Sequence, residues 1–489
     1  MDDAPTAAAR AARDHWPFTL AAVHLAHTLW FTSLYPEGVY DPDLLAYFVY
    51  FKNWVAGITS LQSMSYFTVP KPLPVFLLGP LDNAQLAFAV SALAAAGFGA
   101  LIYLICNRAF GRTAGVLCSL MVLLDVDRAT LSMRSSADFF MTVLLFASIW
   151  ATLSRRYAWS GVALLLAGLC KPVAIPCALH LLAIEGEDRK KAWLAAALPL
   201  VALPLTLLSN DLLLGSPFAT QKLFSGFASM TEGTQMPTED LLRFVLWVEL
   251  AKTIFVSTAA FGVLGLVVWI GRDKSRLTNP FFLVPLLLLG GYLVLSVTTP
   301  FVAFFRFFWT VQVWFTCFIV YGIVETCRRL APEPRKLQIA VTVAVLFFLF
   351  DEQLQRQMRF RSHFAGPFQE AMAFVGTTDT TLSHDRAAGE TILTPLAFLP
   401  YLIWSIDDAR LTPDVVRTAE LHEEDSKLPP PDWILYVPMA FLSPPTREYV
   451  NGLLARGTYR PIMVSEKGTA ALFMRTDKPT PLARADVHP

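Results

Sequence analysis

The chain is short of charge. Only 16% of its 489 residues are charged, and 39 basic side chains balance 39 acidic ones to zero net charge. A soluble protein of this length needs more polar surface. Cysteine is equally scarce. Cys106, Cys118, Cys170, Cys177, Cys317 and Cys327 lie in or beside apolar runs, and the C-terminal segment has none. That excludes a disulfide framework, and no CxxC zinc pattern is present. There is no internal repeat and no inverted pair of broken helices, which speaks against a transporter. Arg10 and Arg13 precede an apolar run that no small-residue cleavage site follows, so that run is expected to be an uncleaved first span.

What the chain does have is long hydrophobic runs. Hydrophobic residues make up 55% of it, and mean hydropathy is +0.49. "LAFAVSALAAAGFGALIYLIC" (Leu86–Cys106) and "FVLWVELAKTIFVSTAAFGVLGLVVWI" (Phe244–Ile270) are long enough to span a hydrocarbon core of about 30 Å. Spans are expected at 17–34, 84–106, 113–124, 138–154, 158–170, 173–184, 192–209, 244–270, 281–298, 307–324 and 338–350. The connections "RAARD", "NRAFGR", "SRR", "EGEDRKK", "GRDKSR" and "CRRLAPEPRK" are short and basic, which puts them on the cytoplasmic side. The intervening connections lack that enrichment and fall outside.

The expected fold is thus an α-helical polytopic membrane protein of about 11 transmembrane helices, placed in the plasma (inner) membrane of a bacterium. Residues 1–350 form the membrane domain, and residues 351–489 a small extracytoplasmic α/β C-terminal domain. Strand-like runs there ("TILTPLAF", "DWILYVP", "YRPIMVS", "TAALFMR") alternate with polar or Pro-rich stretches.

The first outer connection is long for a segment without a task. In "VYDPDLLAYFVYFKNW" (Val39–Trp54), Asp41 suits an N-cap, Pro42 the first helical position, and Asp43 the positive end of a helix dipole. Over 42–56 the spacing predicts an interfacial amphipathic helix. Leu44, Phe48, Phe51 and Val55 form its apolar stripe, and Asp43, Tyr47, Tyr50 and Trp54 share the neighbouring face. Capping accounts for Asp41, but a cap does not need a second acid.

Other ionisable residues gather on the same side. Lys71 is held between Pro70 and Pro72, where it can snorkel or meet a phosphate. Arg306, in "FVAFFRFFW", is surrounded by apolar neighbours and needs an anion or the headgroup layer. Lys171-Pro172 is a short turn at the interface. "LLDVDRATLSMRSSADFF" brings Asp125, Asp127, Arg128, Arg134 and Asp138 into the second outer loop, as an internal salt-bridge network or a ligand set. His24 and His27, inside the first span, read as packing or intramembrane hydrogen bonding rather than a metal pair. Glu249 and Lys252, three apart in the eighth span, neutralise each other.

"YDPDLLAYFVYFKNWVAG" resembles the first outer loop of the GT-C superfamily, the polytopic glycosyltransferases that use lipid-phosphate-linked sugars. Asp43 matches the family's catalytic acid, Lys52 stands where many members carry Arg, and Asn53 matches. Asp41 and Asp43 form an acid-x-acid pair where several members have adjacent acids, so either can be the base. "VPKPLPVFLLGPL" resembles the element before the second span in the aminoarabinose-transferase and protein-mannosyltransferase branches. "GRTAGVLCSLMVLLDVDRATLSMRSSADFF", "GVALLLAGLCKPVAIP" and "FFRFFWTVQVWF" are similar to later segments, the last without the family's Pro.

The resemblance implies transfer of a sugar from a polyprenyl-phosphate-linked donor to a hydroxyl on a glycan, glycolipid or protein acceptor, at the extracytoplasmic face of the lipid bilayer. Asp43 would be the base with Asp41 beside it. Lys71, Arg306, Lys171, Tyr47, Tyr50 and Arg134 would bind substrate. Asp125-Val-Asp127 resembles the second acid pair that binds a divalent ion in oligosaccharyl-transferase members, so Asp41, Asp125 and Asp127 are the candidate metal ligands for magnesium, manganese or calcium. No nucleotide cofactor and no nucleic acid partner are expected. A lipid-diphosphate-dependent ligase or polymerase, and a transporter, are the competing readings.

Overall fold

The computed structural model describes residues 14–32, 42–57, 71–218, 256–298 and 309–330, and in the C-terminal part 373–378, 381–382, 390–395, 398, 402, 415–419, 426–438, 444–466 and 468–477. The expected eleventh span, Asp41, Glu249, Lys252 and Arg306 lie outside the described residues.

The membrane part is a helical bundle. Its helices are α1 (Trp16–Thr32), α2 (Pro42–Val55), α3 (Pro72–Leu78), α4 (Ala84–Phe110), α5 (Arg112–Leu124), α6 (Val126–Met133), α7 (Ala137–Leu153) and α8 (Tyr157–Cys170). A 3-10 helix (Pro172–Ala183) follows, then α9 (Arg189–Ala197), a 3-10 turn (Leu198–Val201), α10 (Ala202–Leu214), α11 (Val256–Arg272), α12 (Pro280–Thr298) and α13 (Trp309–Leu330). By length and composition, Ala84–Phe110, Gly186–Leu214 and Trp309–Arg329 are each able to cross a membrane alone. Asp127–Met133 and Ala137–Leu153 qualify together but are bent by 111°. Shorter apolar helices at 112–124, 157–170, 172–183, 260–272 and 280–294 complete the bundle. Apolar side chains on the α9–α10 stretch, among them Leu194, Leu200, Leu203 and Leu212, face outward, as a lipid-contacting surface does.

Local chemistry sets the breaks. Asn83 caps α4 by accepting from the Gln85 and Leu86 amides. Ser136 caps α7 through the Asp138 amide. Gly111, at φ 95°, turns the chain between α4 and α5. The expected span over 173–184 forms a 3-10 helix instead: Pro176, inside it, withholds an amide that an α-helix would need. The second outer loop is also not a loop: 126–133 is the helix α6, capped by the Asp125 side chain accepting from the Asp127 amide.

Close crossings rely on absent side chains. A Cβ on Gly322 of α13 would overlap the Phe261 carbonyl of α11, and one on Gly265 would strike Phe318 O. His24 lies directly on Gly99 and bonds through Nε2 to the Ser119 carbonyl at 3.0 Å, tying α1 to α4 and α5. Because consecutive helices run back and forth, Arg108, Arg112, Arg155, Arg156, Arg272, Arg276, Arg328 and Arg329 collect at one end. Asp125, Asp138 and Lys171 collect at the other.

The C-terminal part contains a five-stranded sheet in the order β2-β1-β3-β5-β4. The strands are β1 (Ile392–Thr394), β2 (Val416–Thr418), β3 (Trp433–Tyr436), β4 (Tyr459–Val464) and β5 (Ala471–Arg475), with α14 (Pro444–Ala455) between β3 and β4. β2, β1 and β3 are parallel, whereas β5 runs antiparallel to both β3 and β4. Four of the strands fall on the four strand-like runs of the sequence. β2 does not: three residues beside an acidic segment carry no alternation to find. Pro461 is tolerated because β4 is an edge strand with a bulge after it.

Candidate active site

Two Lys-Pro dipeptides frame the site. Lys71 precedes Pro72 at the start of α3, and Lys171 precedes Pro172 at the end of α8. A following proline clashes with helical backbone, and both lysines are extended (φ −109° and −151°). Their side chains therefore leave the helices at fixed points.

Each lysine meets an aspartate in the first turn of another helix. Asp43 is in the first turn of α2, and Lys71 Nζ lies 4.0 Å from its Oδ2. Asp138 is in the first turn of α7, and Lys171 Nζ lies 2.5 Å from its Oδ1. Helix N-termini favour negative charge, which reinforces both carboxylates. All four side chains are mostly shielded from solvent; Asp43 keeps 7% exposure and Lys71 keeps 16%. The pairs are neighbours: α3 packs against α8.

Tyrosines complete the first pair. Lys71 donates to the Tyr47 hydroxyl at 3.3 Å, and its ammonium lies 5.7 Å from that ring's centroid. Burial pushes the Tyr50 phenol above its ordinary range, and the Asp43 charge adds to the effect. Asp43, Tyr47 and Tyr50 thus share one side of α2, as the spacing predicted.

The helix itself differs from the expected interfacial one. Every residue from Asp43 to Tyr50 is buried, so two full turns have no wet face. Only the last turn, with Lys52, Trp54 and Val55, is exposed. α3, the 79–81 turn and α10 pack on α2. Gly79 permits this closeness, since a Cβ there would overlap Phe51 Cβ.

Asp125 sits in a separate arrangement. Trp309 Nε1 donates to its Oδ2 at 2.6 Å, and the Asp127 amide donates to Oδ1 at 3.1 Å. Burial raises its carboxyl above the usual range, opposed by these donors and by Arg128. Arg128 is fully buried and donates to Leu123 O (3.2 Å), Thr28 Oγ1 (3.1 Å) and His27 Nδ1 (2.7 Å). The histidines of α1 therefore do serve intramembrane hydrogen bonds. Arg134 is half-buried at the end of α6.

The expected carboxylate metal set is described only in part: Asp41 lies outside the described residues, and Asp125 accepts from an indole and an amide. Among the described residues, the one His/Cys/Asp/Glu group close enough to share an ion is all cysteine. Sequence reasoning missed Trp309 and that thiol group. Trp309 had one signal, its place beside Arg306 in an aromatic run. The cysteines had none, being far apart in the chain.

No family model matches the chain, and no curated protein matches it in sequence. Solved structures do match in shape. The oligosaccharyltransferase of Archaeoglobus fulgidus, in its apo form, aligns at TM-score 0.53 and 10% identity over 96% of this chain and 76% of that one. The chain shares the fold of that oligosaccharyltransferase. The Cupriavidus metallidurans protein ArnT aligns over 94% of this chain and 98% of its own. Its undecaprenyl phosphate complex gives TM-score 0.45 at 12% identity, and its apo state 0.48 at 14%. The paired acids and lysines described above occupy one end of the helical bundle.

Proposed function

We propose that this protein is an integral-membrane glycosyltransferase that moves a sugar from a polyprenyl-phosphate-linked donor to a hydroxyl acceptor, with Asp43 as the base. The observation that carries this reading is the shielded Asp43 carboxylate with the Lys71 ammonium at 4.0 Å and the Tyr47 hydroxyl beside it. In the reaction, the acceptor oxygen attacks the anomeric carbon as the bond to the phosphate oxygen breaks. Asp43 takes the acceptor proton, and the released phosphate keeps the bonding electron pair. Lys71 and Lys171, neighbours across α3 and α8, meet the charge that develops on that phosphate. Asp43 and Asp138 hold the two ammonium groups in place before the donor arrives. Arg306 and Asp41 belong to the same proposal as phosphate ligand and second acid.

By the positive-inside rule, the arginine-rich end faces the cytoplasm. The Asp43 end then faces outward, where the C-terminal part also lies, and the protein belongs in a bacterial inner membrane. The acceptor is a glycan, glycolipid or protein hydroxyl at that surface. No step is assigned to a divalent ion.

The test is sugar transfer by purified protein from polyprenyl-monophosphate-linked donors. Wild type should transfer. Asp43→Asn should lose at least about a hundredfold in rate while staying folded. Full activity in Asp43→Asn overturns the base assignment, and turnover with diphosphate-linked donors alone overturns the donor class.

A further inference from the structure

Near the arginine-rich end, three helices bring three thiols to one point. Cys106 is on α4, Cys118 on α5 and Cys317 on α13, and their sulfurs all lie within 4.8 Å of one another. Each is fully buried. The arrangement is held from several directions. α4 and α5 are joined at Gly111 and run so close that a Cβ on Gly115 would meet the Asn107 amide nitrogen at 2.9 Å. α13 packs on α5, and Cys118 Sγ faces the Cys317 carbonyl at 3.7 Å. Cys106 is five residues from the Gly111 turn, which puts the group about 7 Å below the bundle end.

Three sulfurs bound at about 2.3 Å to one central ion stand about 4 Å apart. The thiols therefore need only small rotamer adjustments to share an ion. The group contains no carboxylate and no imidazole, so hard cations have nothing to bind and a soft ion is selected. Zinc takes four ligands in structural sites, and this group offers three. A d10 monovalent ion that accepts trigonal sulfur fits the donor set.

We propose that Cys106, Cys118 and Cys317 form a binding site for one cuprous ion. The surroundings fix the proton balance. Phe110 and Phe318 lie close along the same helices and pack on each other with ring centroids 5.3 Å apart. Such an apolar interior penalises any net charge. The binding sulfurs are thiolates: each thiol gives up its proton to solvent as its lone pair binds the ion, and the first such release leaves the buried charge unchanged. Copper enters as +1 and stays +1. The site is distinct from the proposed Asp43 chemistry at the opposite end, and a loaded ion would brace α4 and α5 against α13.

The experiment uses reduced, chelator-washed full-length protein titrated anaerobically with cuprous ion against a chromophoric cuprous chelator. One equivalent should bind, with a near-ultraviolet sulfur-to-copper absorption. Apparent affinity should rise at least about tenfold per pH unit, as release of one or more thiol protons requires, and loading should raise the unfolding temperature. Cys106→Ser, Cys118→Ser and Cys317→Ser should each weaken binding at least about a hundredfold, whereas Cys327→Ser, outside the group, should not. Gel filtration identifies folded variants, and any one of the three that folds suffices. Absence of uptake by folded wild type overturns the proposal, as does uptake unchanged by a folded member variant or binding independent of pH.

Discussion

The pair Asp43–Lys71 makes a prediction in which stability and activity part company. At 4.0 Å and an effective dielectric near 20, two unit charges attract by about 4 kcal/mol. Lys71 keeps some solvent contact, with 16% of its side chain exposed, so screening trims the net coupling to about 2–3 kcal/mol. Lys71→Met removes the ammonium, keeps most of the volume, and leaves a shielded carboxylate without its neighbour. It should destabilise the protein by about 3 kcal/mol. Asp43→Asn should cost less, since an exposed path lets the lysine reach solvent. The double variant should cost less than the sum of the two singles, because either single already removes their mutual attraction. Unfolding followed by tryptophan fluorescence in one detergent gives the cycle, and sugar transfer by the same samples gives activity. The coupling should be positive, and activity should be lost in all three variants. If the double variant is the least stable by the sum of the singles, the two groups do not interact and the site as described is wrong. If the double variant recovers transfer, the pair is structural only.

Asp138→Asn and Lys171→Met should behave as a second cycle with a larger coupling, because that contact is 2.5 Å; the same unfolding measurement checks it. Trp309→Phe removes the donor at 2.6 Å from Asp125 Oδ2, leaving a buried acceptor short by one bond. Its cost should be about 1–3 kcal/mol, and Asp125→Leu in the Trp309→Phe background should cost more again, since it also removes the α6 cap. Gly322→Ala puts a methyl onto the Phe261 carbonyl and should destabilise by about 1–3 kcal/mol. Gly271→Ala, with nothing within 4 Å, should be neutral or slightly stabilising, and the two melting temperatures side by side decide it.

The membrane class, the positions of most helices and the short basic turns were legible in the sequence. They depend on local quantities: a run of apolar residues long enough for the hydrocarbon, a cap or proline at each end, and arginines between runs. The spacing of Asp43, Tyr47 and Tyr50 is local too, and it puts them on one side of α2. The burial of that whole side, from Asp43 to Tyr50, was not local. It follows from α3, the 79–81 turn and α10 closing over the helix, which no pattern within fourteen residues can announce.

Pairing was likewise a tertiary decision. The sequence offered Lys71, Lys171, Asp125 and Asp138 as a set of ionisable groups on one side of the membrane. Only the packing of α2 on α3 and of α7 on α8 chose Lys71 for Asp43 and Lys171 for Asp138. The same packing engaged Asp125 with an indole from a helix far along the chain and brought three distant thiols together. That a polytopic helical chain would form, and which residue types stood at each end of it, follows from the order of residues alone. The partner of each charge was decided by the folded bundle, because Coulomb attraction and ligand geometry act through a few ångströms of space and not along the chain.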